Sequence, residues 1–367
     1  MKKTVSVLMA AALCATMIGG CSGSSKQAGA TTAAASKGAE SSANTGETTK
    51  AENKKVDKLN VYFVPSREPQ EIVTATEPLK DMLKTELSKE GYDIGEVVIT
   101  VGTSYEAVGE ALSAGTADIG LIPGGTYVLY DDGADVILTA TRDGLSKNSD
   151  VAKDWNDGKA TEATKEQATS YRSLIITGPS EKGQALAKKI NSGEALTFED
   201  LDGANWSVMS SSSPAGYIYP SLWLQENFQK NILNLSHAVQ SDSYGSAFAR
   251  LASGQIDVLC TYADARRDYE EKWKAEYNRS GSIWEETSVL GVTPPIFNDT
   301  VSVSKTSKIM DDDFKKAVSN AFINIGKTED GQKVIAIYSH KGYQEAKSAD
   351  YDNERKAQKM IKELNAK

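Results

Sequence analysis

The chain has 367 residues, 40% hydrophobic and 25% charged, an ordinary globular composition with length enough for two compact units, which excludes disorder throughout. A formal charge of −9 argues against a non-specific nucleic-acid binder, which needs a basic face to displace counterions. Three cysteines, Cys14, Cys21 and Cys260, are too few and too scattered for a disulfide framework, and two histidines, His237 and His340, leave no basis for a His-rich zinc site.

Lys2 and Lys3 precede the apolar run Val5 to Ile18, which ends in Gly19-Gly20-Cys21: a charged start, a short greasy core and a small-residue exit, as in an export signal. The run is too short to span a bilayer comfortably as a permanent helix. Ile18-Gly19-Gly20-Cys21 resembles the bacterial lipobox, which implies a signal peptide over residues 1–20 and acylation of Cys21; a chance cysteine in an ordinary cleaved signal is the alternative. Residues 22–55 hold nothing apolar larger than Ala and cannot bury enough surface to offset their ordering entropy. Residues 21–56 therefore read as a lipid-anchored tether, with a reach of roughly 30 Å as a flexible coil. The first 55 residues contain seven Lys and three Glu, so the remainder carries −13.

From Leu59 the pattern is α/β: a strand at Leu59 to Val64, a helix over Ile72 to Glu90, a strand at Val97 to Val101, a helix at Tyr105 to Leu112 and a strand at Asp118 to Ile122. The order predicts parallel strands. Ile137 to Thr141 is a further strand, and residues 143–169 read as a polar surface excursion. A second α/β series follows, with strands at Ser173 to Thr177, Trp206 to Met209, Ser236 to Val239 and Ile256 to Thr261, and helices near Gly183 to Ile190, Leu222 to Phe228 and Ser246 to Leu251. Ala111 to Ile119 matches in kind Arg250 to Val258: a helix end, a Gly suited to the left-handed position after it, and an Asp entering an apolar strand. The chain returns through Val289 to Val292 and Val301 to Val303, then an amphipathic helix from Asp312 to Ile325. Glu354 to Leu364 reads as an exposed, charged helix. The expected fold is thus α/β in two lobes, residues 57–174 with 297–367 and residues 175–296, with a ligand cleft between them.

Ser210-Ser211-Ser212-Ser213-Pro214-Ala215-Gly216-Tyr217 lies directly between a strand and a helix. Ser213 suits the N-cap and Pro214 the first helical position. The N–H groups of Ala215 and Gly216, the serine hydroxyls and the helix dipole would then bind an oxyanion without any Lys or Arg. A serine-rich turn that merely caps its helix is the plain alternative.

This run, with Gly216-Tyr217 and Pro220, resembles the Ser-Thr-Ser-Gly-Tyr-x-x-Pro element of the phosphate/phosphite/phosphonate-binding proteins of ABC importers, the PhnD-like type. Five other segments agree in order: Pro65-Ser66-Arg67-Glu68-Pro69, Ala117-Asp118-Ile119-Gly120, Tyr171-Arg172-Ser173, Pro294-Pro295-Ile296-Phe297-Asn298-Asp299 and Ala349-Asp350-Tyr351-Asp352. The resemblance covers about residues 57 to 355. It implies a type II periplasmic-binding-protein fold and a monomeric extracytoplasmic lipoprotein that delivers a phosphonate or related phosphorus oxyanion to an ABC permease and ATPase complex. No enzymatic activity, cofactor or nucleic acid is implied. A sensor of the same fold, or an enzyme built on it, would share the lobes.

By the same resemblance the ligand-binding tyrosines match Tyr105 and Tyr171, the anion cradle matches Ser211, Ser212, Ser213, Ala215 and Gly216, and two acids match Asp264 and Asp299. Each has a plainer reading: the tyrosines as core aromatics with a wet hydroxyl, Asp264 as the opening of the next helix. Three positions depart from the family: Pro214 stands for a threonine, Tyr244 for a ligand-binding histidine, and Asp264 for a glutamate. Asp264 and Asp299 would repel a bound anion unless the ligand offered an ammonium or a P–OH. An amino-substituted phosphonate or a protonated phosphorus oxyanion is therefore the expected ligand, with Cys260 a core thiol.

Overall fold

The computed structural model describes residues 52–366. The leader, Cys21 and most of the tether lie outside the described residues. Two sheets form two hydrophobic cores. The strands in chain order are β1 Lys54–Phe63, β2 Tyr92–Val101, β3 Ile119–Ile122, β4 Ala134–Leu145, β5 Ala163–Ala168, β6 Ser170–Tyr171, β7 Ser173–Thr177, β8 Trp206–Val208, β9 Ala238–Gln240, β10 Val258–Tyr262, β11 Ser288–Val292, β12 Ile296–Phe297, β13 Thr300–Ser304 and β14 Gly342–Glu345.

The first sheet runs β14-β4-β13-β3-β1-β2, with β5 on β4, and the second runs β11-β7-β10-β8-β9. β1 pairs in parallel with β2 and β3, as the alternation of strand and helix requires. Both sheets are nevertheless mixed, which corrects the expectation of parallel strands. β13, the strand that returns from the second sheet, enters antiparallel between β3 and β4, and β7 lies antiparallel between β10 and β11. Leu59, Val61 and Ile119 are fully buried in the first core and Ile175, Trp206 and Phe248 in the second; each such side chain contributes about 1.5–3 kcal/mol. β6 and β12 pair as a two-stranded ribbon between the sheets, Tyr171 opposite Ile296. Asn298 pins this ribbon, its Nδ2 donating to the carbonyls of Ala140 and Ala168 at 2.9 Å.

The internal echo is a structural repeat. Gly115 and Gly254 adopt φ of 73° and 75°, a conformation glycine takes at no steric cost. Asp118 Oδ2 then accepts from the N–H and Nδ2 of Asn60 at 2.7 and 3.0 Å, and Asp257 Oδ2 from the same two atoms of Asn205 at 2.8 and 3.1 Å. The second oxygen of each takes a serine hydroxyl at 2.6 Å, from Ser307 and Ser180.

Three local expectations are corrected. The helix expected over Ile72 to Glu90 is two, Pro69–Thr76 and Leu79–Lys89, because Pro78 brings no N–H to continue the ladder. The excursion 143–169 carries β5 and Trp155, which is buried in the second core. The helix Asp352–Asn365 is not simply exposed: Glu354, Ala357, Gln358 and Ile361 form a buried face, and Ala357 and Ile361 pack in the second core. Beyond these, Arg266 is buried over the Trp284 ring at 4.8 Å, and Arg267 reaches Asp143 at 3.3 Å.

Candidate functional site

Two helix starts related by the repeat define the walls of a cavity between the sheets. Ser104 caps Tyr105–Ala114 by accepting from the N–H of Ala107 at 3.1 Å, and Ser243 caps Tyr244–Ala252 by accepting from that of Ser246 at 3.0 Å. Each cap puts a tyrosine at the first helical position, and both Tyr105 and Tyr244 line the cavity. Tyr171 joins them from the β6–β12 ribbon, with Ser213, Pro214 and Ala215 from the serine run and Asp299 beside β13. The cavity encloses about 470 Å³ of atom-free space, mouth included.

The serine run forms the expected cap, but its parts have separate tasks. Ser213 Oγ accepts from the N–H of Gly216 at 3.2 Å, and its carbonyl accepts from Tyr217 and Ile218. Gly216 therefore spends its N–H on the cap, which leaves that of Ala215 as the first-turn donor available to the cavity. Ser212 Oγ meets Thr126 Oγ1 at 3.0 Å, and Ser211 is exposed; neither lines the cavity. Ser210 Oγ donates to Glu106 Oε1 at 2.5 Å and Ser243 Oγ to Glu68, so hydroxyls beside the cavity tie the second-sheet side to the first.

Two arginines line the cavity, and composition reasoning missed both. Arg67, 8% exposed, donates to Asp268 at 2.7 Å and lies over the Tyr262 ring at 5.0 Å. Arg142, 5% exposed, lies over the Tyr171 ring at 4.1 Å and donates from Nη2 to Asp299 Oδ2 at 3.3 Å. Its Nε and Nη1 have no hydrogen-bond partner among the described residues. Burial works against the Arg142 charge, but Asp299 and Asp264 outweigh it and hold the guanidinium more firmly charged than usual. An unpaired buried donor costs about 1–3 kcal/mol, more when charged, so these two N–H groups want an acceptor.

Asp264 lies behind this layer. It is buried 3.6 Å from Arg142 Nη1, opens the helix Ala265–Asp268 without a side-chain cap, and lines a neighbouring pocket rather than the cavity. Burial raises its carboxyl pKa, against the pull of Arg142. Asp299 Oδ2 is also 3.2 Å from His340 Nε2; burial keeps that ring below the usual histidine range, and a neutral ring must donate from Nε2 to meet a carboxylate. Burial raises the Asp299 carboxyl too, but the His340 bond and the Arg142 charge outweigh it and the acid stays ionised. Burial also lifts the hydroxyls of Tyr105, Tyr171, Tyr244, Tyr262 and Tyr338, keeping them protonated as donors at neutral pH. The lining is thus rich in donors, with one carboxylate already engaged. Among the described residues no group of three or more His, Cys, Asp or Glu is placed to hold a metal, and no helix is long and apolar enough to cross a membrane.

A family model described as "ABC transporter, phosphonate, periplasmic substrate-binding protein" matches residues 61–351. Among solved structures, a binding-protein component of an ABC phosphonate transporter from Pseudomonas aeruginosa superposes with a TM-score of 0.60 at 14% identity, covering 84% of this chain and 88% of its own. PhnD1 from Prochlorococcus marinus, in complex with methylphosphonate, gives 0.57 at 16% identity over 83% of this chain and 98% of its own. A protein from Xanthomonas citri bound to ATP gives 0.58 at 13% identity, over 85% and 99%. No curated protein matches. The shared architecture is the two-lobed, type II periplasmic-binding-protein fold.

Proposed function

Because this chain belongs to the family of periplasmic substrate-binding proteins of phosphonate ABC transporters, we propose that it captures a phosphonate, phosphite or phosphate in the cavity between its lobes and delivers it to a permease and ATPase complex. The observation that carries the reading is Arg142, a buried, charged guanidinium lining the cavity, whose Nε and Nη1 have no hydrogen-bond partner among the described residues. A tetrahedral oxyanion supplies acceptors for them, for the Tyr105, Tyr171 and Tyr244 hydroxyls and for the N–H of Ala215. The folded part at −13 gives no attractive far field, so capture is local and depends on desolvation.

The first sheet acts as one lobe and the second as the other, with the expected boundary at 174/175 moved ahead of β7, whose Ser173 and Leu174 pair with β10; the lobes close about the β6–β12 ribbon, and Ala357 and Ile361 of the last helix reach into the second core. Cys21 carries the lipid anchor, and the residues between it and β1 let the monomer range near the membrane; Lys54 to Val56 of the expected tether belong to β1 instead. A thermal-shift screen tests the binding reading: methylphosphonate, phosphite or phosphate raises the melting temperature by mass action, and sulfate does so less. A shift largest with sulfate, or none with any of the four, overturns it.

A further inference from the structure

A ligand ammonium needs acceptors with negative charge to spare. Among the described residues Asp299 is the one carboxylate that lines the cavity, and its Oδ2 is shared by Arg142 Nη2 at 3.3 Å and His340 Nε2 at 3.2 Å. Asp264, 3% exposed, lies 3.6 Å from Arg142 Nη1 and 3.8 Å from Arg267 Nη1. Arg142 therefore stands between the two acids as an internal cation, over the Tyr171 ring. Arg67 adds a second guanidinium to the lining, and the rest of the polar wall is hydroxyls and backbone. A cation entering this space meets two fixed cations and no free carboxylate.

Resting on the anion-binding reading of the same cavity, we propose that Arg142 fills the place a ligand ammonium would take beside Asp264 and Asp299, so that the site selects phosphorus oxyanions without an amino group and rejects aminoalkylphosphonates. This reverses the ammonium half of the expectation drawn from the two acids, because that expectation left their partner out.

Ethylphosphonate and aminomethylphosphonate differ in a methyl against an ammonium and are matched in size. Calorimetric titration with both, and with methylphosphonate, is the test. Wild type binds ethylphosphonate at least tenfold tighter than aminomethylphosphonate. Arg142→Met leaves the acids uncompensated and inverts that order, even where phosphonate affinity falls overall; Arg142→Lys, which keeps a cation should the Met variant fail to fold, preserves it. Wild type binding aminomethylphosphonate as tightly as ethylphosphonate overturns the inference and leaves the anion reading standing. No heat from any of the three removes both.

Discussion

Glu354→Gln is expected to stabilise the protein at pH 8 and to change little at pH 4. Glu354 is 1% exposed on the last helix, and its Oε1 accepts from the Tyr219 hydroxyl at 2.7 Å. Burial pushes its carboxyl from 4.5 up to about 7, against the Tyr219 bond. The folded state thus binds this proton more tightly than the unfolded chain does. Stability is full below the unfolded value and drains as pH rises to about 7, where the folded carboxyl ionises. The gap between 4.5 and about 7 corresponds to about 3 kcal/mol. Gln keeps an acceptor for Tyr219 and never ionises, so the variant holds that stability above pH 7. Urea unfolding of both proteins at pH 4 and pH 8 reads it out: the midpoints should nearly coincide at the lower pH and separate at the higher, with unchanged slopes. Parallel pH profiles for the two proteins would refute the reasoning.

Gly125 sits where the lobes approach: a Cβ there would stand 2.7 Å from Ile218 Cδ1 and from the Ser212 carbonyl. Gly125→Val should weaken phosphorus-anion affinity tenfold or more by calorimetry with little change in ligand-free stability, and unchanged affinity would show that this contact plays no part in closure. Ser213→Ala removes the cap on Gly216 and should cost about 1 kcal/mol in urea unfolding together with a loss of affinity; loss of stability alone would reduce the serine to a cap. Cys260 is fully buried on β10, and burial pushes its thiol well above the usual range. Cys260→Ser should lower the melting temperature and leave affinity intact, and an affinity loss in a folded variant would contradict its role as core filler.

The apolar runs made most strands legible, since a buried strand leaves an unbroken hydrophobic stretch whatever its partners are. The repeat was legible too, because the left-handed glycines and the aspartates after them are local needs met twice. Arg67 and Arg142 were not. A lone arginine near a strand end reads as surface charge, and what draws Arg142 inside is Asp299, 157 residues away, with Asp264 and the Tyr171 ring. The buried face of the last helix was hidden differently: its positions 354, 357, 358 and 361 have helical spacing, yet Glu, Ala and Gln fill three of them. There the period was present and the hydrophobicity was not.

The central claim is that Arg142 and the Ser213–Ala215 turn hold a phosphorus oxyanion between the lobes. A crystal structure of the protein with methylphosphonate tests it most directly. Phosphonate oxygens should lie within hydrogen-bond reach of Arg142 Nε or Nη1 and of the Ala215 N–H. A phosphonate bound elsewhere, or an empty cleft at saturating ligand, would contradict it.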